Sequence, residues 1–485
     1  MSTDNLKHKT FRALLWSFSD KFGQQFIYLI SGVILARQLS QADYGLIGML
    51  AIFIPLSNVL LDSGFGSALI KKQDAGTDDY NAVFYFNILI SFTLYGLLYV
   101  TAPFISRFYD EPQLVLLSRV LFVTILFNAF SLIQSLLLTK ELRFGQQAKA
   151  NFLALLFSSV IAVGLALKGY GVWALVAQTV LLALFKSLLL WGMNPWRPTL
   201  SFKLQPLRES FAFSSRMLVS GIINVIFNNI YSVIIGKAFN KVELGYYQQA
   251  SKYNEIPTTL ITNTFRTVAL PVFANVNADN ERLARVLRKT NQSIAFILFP
   301  VLFGLLVIAR PLLVGLIGEK WLPSVSIFRL LLISGFFSVF SFIFNELLVA
   351  KGKSRTYLRI EIARKVVMVC AIVATFRWGV NGLALGWSVY SCAGMLLSGY
   401  FASKIIGTPF RYFFIAIAPY FLLAGTMAAA IAWLSLLQWN IYVLMAVQII
   451  AGILIYGAGC LLFKVEMGDE VLHLLRKFRN RNKTK

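Results

Sequence analysis

Between residues 243 and 270 the chain reads ELGYYQQASKYNEIPTTLITNTFRTVAL. Lys252, Glu255, Thr259, Asn263 and Arg266 recur there at helical spacing, so one helix face would carry all five. Two cations, a hydroxyl and an amide on one stripe can hold an anionic, hydrogen-bonding ligand. The carboxylate among them can carry a proton or a small cation. The surroundings are apolar: 58% of the 485 residues are hydrophobic and the mean hydropathy is +0.70. A charge at bilayer depth costs roughly 2.5–3.5 kcal/mol on insertion scales. Three charges on one stripe therefore require water, partners or a ligand, and the stripe is expected to line a cavity.

The elements that must position this stripe are membrane spans. About fourteen apolar runs of roughly 20 residues follow one another, near 11–37, 43–70, 80–107, 112–138, 146–167, 171–193, 211–237, 243–274, 283–309, 322–350, 356–376, 380–405, 411–434 and 439–463. The fold class is an all-α integral membrane protein. An even number of spans places both termini on one side. The first run carries Asp20 and Lys21 and lacks a small-residue cleavage site, so it reads as a span rather than a signal peptide.

A net charge of +24 raises the question of nucleic acid, and its distribution answers it. With loops assigned alternately, about 30 basic residues fall on the side of the termini and about 8 on the other, the positive-inside asymmetry. The charge is a topology signal that excludes a nucleic-acid partner and makes both termini cytoplasmic. The tail RKFRNRNKTK can also touch anionic headgroups. Cys370, Cys392 and Cys460 lie within spans with no metal spacing, and His8 and His473 lie outside them. No metal site, disulfide or histidine proton relay is expected.

The sequence repeats itself. Arg37, Asp43 and Gly45 recur as Lys237, Glu243 and Gly245. Arg119, Thr124, Asn128, Ser131 and Ser135 recur as Arg329, Ser334, Ser338, Ser341 and Asn345, and GVWAL at 171–175 pairs with GVNGL at 379–383. Six spans per copy give a parallel repeat about an axis along the membrane normal. The expected organisation is an N-lobe over 1–200, a C-lobe over 201–408, two extra spans over 409–465 and a basic tail over 466–485. The first two helices of each lobe hold most of the membrane-embedded polarity. Gln24 and Lys21 lie on span 1, Asn58 and Asp62 on span 2, Arg216 and Asn224 on span 7, and the stripe on span 8. A cavity enclosed by these four spans is the simplest arrangement.

At this point the residues resemble a known family. LARQLSQADYG (35–45), DSGFGSALI (62–70), APFISRFY (102–109) and GVWALV (171–176) are similar to elements of Wzx-type polysaccharide-repeat flippases, especially the colanic-acid-exporter branch. That family belongs to the multidrug, oligosaccharidyl-lipid and polysaccharide exporter superfamily. A proline common in the family near Gln41 is absent, which should alter only a loop. The resemblance implies two six-helix bundles in a V around a central cavity. It also implies movement of a polyprenyl-diphosphate-linked oligosaccharide across the bacterial inner membrane, with a polymerase and a chain-length regulator as partners beside the membrane lipids. It further implies a cationic cavity for the diphosphate, for which Lys21, Arg216, Lys252 and Arg266 are the candidates. Physical chemistry agrees, since a diphosphate cannot cross hydrocarbon without fixed cations on its route.

Each residue also has a plainer reading. Arg216 and Arg266 can snorkel to headgroups; Asp20 and Lys21 can pair; Lys252 and Glu255 can form a helix pair. Asp62, ahead of Gly64 and Gly66, can cap or bend span 2. Glu255, and less so Asp62, are the candidates for proton or sodium coupling; no other cofactor is expected. Arg119 and Arg329 should anchor equivalent helix ends, and Glu346, Glu361, Arg364 and Lys365 should pair among themselves. Trp191, Trp196, Trp321 and Trp378 suit an interfacial belt. The GKS at 352–354 lacks the first glycine of a phosphate loop, where Leu347 stands, and no catalytic constellation is seen. A multidrug exporter of the same superfamily would want an acidic, aromatic cavity. A polysaccharide polymerase or ligase would want large periplasmic loops.

Overall fold

A computed structural model describes residues 23–62, 65–72, 74–199, 205–437 and 439–470. They are helical throughout, with no strand among them. The helices are α1 (23–38), α2 (Gln41–Leu50), α3 (Phe53–Asp62), α4 (Phe65–Lys71), α5 (Thr77–Tyr109), α6 (Leu114–Leu121), α7 (Val123–Lys140), α8 (Phe144–Leu167) and α9 (Val172–Met193). There follow α10 (Gln205–Ala238), α11 (Lys241–Asn275), α12 (Asn280–Ile317), α13 (Pro323–Ala350), α14 (Ser354–Thr375), α15 (Gly379–Ile406), α16 (Phe410–Trp433) and α17 (Ile441–Leu462). Eleven stretches of the described residues are long and apolar enough to cross a membrane, and one of them, Ser354–Ile406, contains both α14 and α15. α11, whose polar residues interrupt its apolar runs, is not among them. The exterior carries large apolar side chains such as Leu89, Val100, Leu454 and Leu462, while Asn87, Gln134 and Gln448 are buried. That distribution suits a multi-pass chain whose surface meets hydrocarbon.

The repeat reappears in the backbone. Ser40 and Asp43 form a capping box at the start of α2, with Asp43 N–H donating to Ser40 Oγ (3.2 Å) and Ser40 N–H to the Asp43 carboxylate (2.8 Å). At the equivalent place Glu243 N–H donates to Asn240 Oδ1 (2.8 Å). Asp43 and Glu243 thus recur because both helices need a start signal. Gly171 and Gly379, at the head of the repeated GV motifs, both adopt positive φ (55° and 70°). Gly45 and Gly245 share a third reason. A Cβ on Gly45 would strike the Lys241 carbonyl, and one on Gly245 would strike the Gln41 carbonyl. Since 41 and 241 are equivalent, this reciprocal backbone contact has twofold character.

Contacts divide the chain into two units, Met1–Gln248 and Gln249–Lys485, so the division falls within α11. In unit 1, α8 packs on α9, α9 on α7, and α7 on α5, while α10 lies against α2, α3, α4 and α5. Lys237 and Lys241 pair with Asp110 (2.8 Å) and Glu111 (2.9 Å) in the α5–α6 turn. In unit 2, α13 and α14 pack on α15, and α16 and α17 both pack on α12. Two details depart from the sequence reading. The run 43–70 is interrupted after Leu50; near that break Pro55 has no N–H to give the Ala51 carbonyl. Trp321 is fully buried and so cannot serve an interfacial belt, whereas Trp378 is 65% exposed.

Candidate functional site

α11 begins at its Asn240 cap and runs for 35 residues through Pro257 and Pro271. Pro257 leaves the Tyr253 carbonyl without its helical donor, an irregularity next to Glu255 and one turn from Lys252. Along the stripe Glu255, Thr259 and Arg266 are exposed, and Lys252 and Asn263 are half-buried. Lys252 makes no ion pair among the described residues, and Glu255 instead accepts from Ser251 Oγ at 3.2 Å. Neighbours on one helix do not cancel each other here.

Arg266 is held loosely. Its Nε lies 4.0 Å from Glu346 Oε1 on α13, its guanidinium lies 5.5 Å from the Phe342 ring centre, and its side chain is 65% exposed. An exposed pair of this kind contributes about 0–1 kcal/mol and leaves most guanidinium donors available. Glu346 therefore pairs outside the acidic and basic group expected for it. Glu361 and Arg364 do pair (2.6 Å), and Arg364 also donates to the Tyr390 hydroxyl (3.1 Å).

The remaining candidates belong to unit 1. Lys21 lies outside the described residues, as does the side chain of Arg216. Gln24 is half-buried on α1, and Asn224 is exposed on α10. Asn58 is exposed on α3 and accepts from Asn128 Nδ2 on α7 at 3.0 Å. The Asp62 carboxylate accepts the Gly66 N–H, the capping role open to it, and lines a cavity of about 400 Å³ with Asn58, Asn128, Ser131, Ser135 and Lys186. Sequence reasoning used Asn128, Ser131 and Ser135 only as marks of the repeat. Their helical spacing was the signal that they share a face; Lys186, alone in an apolar run, gave none beyond its charge.

The anchoring role of the repeated arginines is visible in both copies. Arg119 on α6 stacks 4.2 Å from the Tyr99 ring centre on α5. Arg329 on α13 donates to the Leu306 carbonyl on α12 at 3.2 Å. Each grips the preceding helix of its own copy. Asp79 begins α5 by accepting from Gly76 N–H (2.9 Å) and Lys72 Nζ (2.8 Å). Among the described residues no cluster of histidine, cysteine and carboxylate side chains has metal-binding geometry.

The described residues thus offer cations and hydrogen-bonding groups along α11, and a polar cavity between α3, α4, α7 and α9. The chain is 27% identical to the teichuronic acid biosynthesis protein TuaB of Bacillus subtilis, covering 82% of this chain and 84% of that one. It is 27% identical to the succinoglycan biosynthesis transport protein ExoT of Rhizobium meliloti (68% and 67% covered), and 22% identical to the lipopolysaccharide biosynthesis protein WzxC of Escherichia coli (88% of each). Its fold is similar to that of the lipid II flippase MurJ in an inward closed conformation, with a TM-score of 0.76 at 17% identity over 94% of this chain and 99% of that one. Its fold is also similar to that of a multidrug-resistance MATE family transporter of the MOP superfamily in an inward-facing conformation, with a TM-score of 0.62 at 16% identity over 79% of this chain and 94% of that one. Residues 34–326 match the family described as polysaccharide biosynthesis protein, and the chain belongs to that family.

Proposed function

We propose that the protein is a flippase for polyprenyl-diphosphate-linked oligosaccharide repeat units, moving them across the bacterial inner membrane for surface polysaccharide assembly. In this reading the chain crosses the membrane fourteen times with both termini cytoplasmic, as two six-helix lobes and two additional spans. The diphosphate and its sugars enter a cavity lined by the α11 stripe, while the prenyl tail stays in lipid. Lobe rocking then exposes the glycan to the periplasm for a polymerase and its chain-length regulator. The protein moves its substrate without chemical change and is not an enzyme. Glu255, two residues from the Tyr253 carbonyl that Pro257 deprives of its helical donor, exchanges the proton or sodium ion that drives the cycle.

The observation that carries this reading is Lys252, a half-buried cation with no ion-pair partner among the described residues. Leaving such a charge at membrane depth is costly unless an anion visits it. Organic-cation export, the alternative open to this fold, would place carboxylates there without the lysine and arginine. Lys252→Ala and Arg266→Ala are expected to abolish surface polysaccharide with expression intact. Unchanged export in both would contradict the site. Glycosyltransferase genes beside this one would support the reading, and a lone drug-responsive regulator would weaken it.

A further inference from the structure

The unit 1 cavity has a composition that neither the diphosphate nor a coupling ion explains. It lies between α3, α4, α7 and α9, away from the α11 stripe in the chain, and measures about 400 Å³. At ~30 Å³ per water it holds roughly a dozen waters, or the heavy atoms of one hexose. That is far more room than a desolvated metal ion fills. Among the described residues that line it no aromatic ring is present to hold a drug-like organic cation.

Its chemistry is that of a sugar site. Asn128 Nδ2 uses one hydrogen on Asn58 Oδ1, which leaves its second hydrogen, its own carbonyl oxygen and the Asn58 amino group for a ligand. Asp62 spends one acceptor position on the Gly66 N–H, and a Cβ at residue 66 would come within 2.5 Å of Asp62 Oδ1. The glycine therefore leaves that carboxylate its place. Ser135 Oγ accepts from Gln147 Nε2 at 2.9 Å, so a second layer fixes one of the hydroxyls. Leucines 61, 132 and 136 supply apolar patches between the polar groups. Donors and acceptors alternating with C–H surface is the pattern a pyranose ring presents.

We propose that this cavity is a glycan-recognition subsite, in which Asn58, Asp62 and Asn128 bind hydroxyls of one sugar of the translocated repeat unit. The proposal rests on the flippase reading above and deepens it. The diphosphate is common to all such lipids, and the cavity in unit 1 reads the sugar that distinguishes them. In the proposed orientation the cavity lies in the cytoplasmic half of the membrane, where the glycan is first met.

The test compares two probes on the purified full chain. One is the polyprenyl-diphosphate lipid carrying its repeat unit, extracted from cells that make the polysaccharide; the other is sugar-free polyprenyl diphosphate. The wild type is expected to prefer the glycan-bearing lipid. Asn58→Ala combined with Asn128→Ala should lower affinity for that lipid about tenfold, the scale of one or two lost hydrogen bonds, with affinity for the sugar-free lipid unchanged. Asn128→Leu, close to isosteric, is the second variant and should act in the same direction with an unchanged melting midpoint. Equal losses for both lipids, no loss for either, or a wild type without preference would each overturn the subsite. A wild type that binds neither lipid would instead sink the flippase reading, and this proposal with it.

Discussion

α2–α3 and α11 open on matching residues, Ser40, Asp43 and Gly45 against Asn240, Glu243 and Gly245, and differ beyond them. Both open on a side-chain cap, through Ser40 and Asn240. Both place a glycine against the other's backbone, and both carry a proline near the middle, Pro55 and Pro257. Beyond those shared features they differ. The first copy breaks after Leu50 and carries Asn58 and Asp62, with no cation between Asp43 and Asp62. The second runs unbroken to Asn275 and carries Lys252, Glu255 and Arg266. The two segments share the caps and close contacts that build their helices. They differ in that the cations proposed to bind the diphosphate, Lys252 and Arg266, lie on one, and Asn58 and Asp62, proposed to bind sugar hydroxyls, lie on the other.

That comparison can be broken in several ways. The largest effect should come from charge: Lys252→Ala with Arg266→Ala should lower surface polysaccharide at least about 100-fold, as expected for losing two charge-assisted contacts. Asn58→Ala alone should cost less than about tenfold, as expected for one neutral hydrogen bond. Equal losses would mean the copies share one role. Next is the glycine contact. Gly45→Leu and Gly245→Leu should each destabilise the detergent-solubilised protein by about 1–3 kcal/mol or more, read as a lower melting midpoint. A large loss for one and none for the other would break the twofold character. Smaller still, Ser40→Ala and Asn240→Ala should cost about 1 kcal/mol each. Matching melting shifts would sharpen the equivalence of the two caps.

The smallest effect belongs to the next helix boundary. Asp279 caps α12 by accepting the Arg282 N–H (3.0 Å), and that bond holds its carboxyl below the ordinary aspartate value. Its stabilisation is complete above about pH 3.9 and fades as the pH falls through the lower folded value. Asp279→Ala should therefore remove a small part of the acid limb of a pH–stability curve and leave the neutral plateau's pH dependence unchanged.

Much of this was legible in the sequence. The stripe on α11 follows from spacing, and that helix spans Lys241–Asn275 against an expected 243–274. The repeat was readable because Asp43, Glu243, Gly171 and Gly379 each meet a local backbone demand that only a few residue types satisfy. What was not legible depended on tertiary neighbours. Glu346 lies 80 residues from Arg266, and periodicity contains no information about which helices meet. Trp321 reads like a belt residue by its place at a span end, yet packing buries it completely. The cavity between α3, α4, α7 and α9 needed α7 packed on α9 before Asn128 and Lys186 could be seen to line the same space. The break after Leu50 was within reach, since Pro55 stood in plain view.

The central claim is that the α11 stripe binds the diphosphate headgroup, and equilibrium binding of sugar-free polyprenyl diphosphate to the purified protein tests it most directly. The wild type should bind this lipid more tightly than polyprenyl monophosphate, and Lys252→Ala with Arg266→Ala should erase that difference. An unchanged preference for the diphosphate in the double variant would contradict the account.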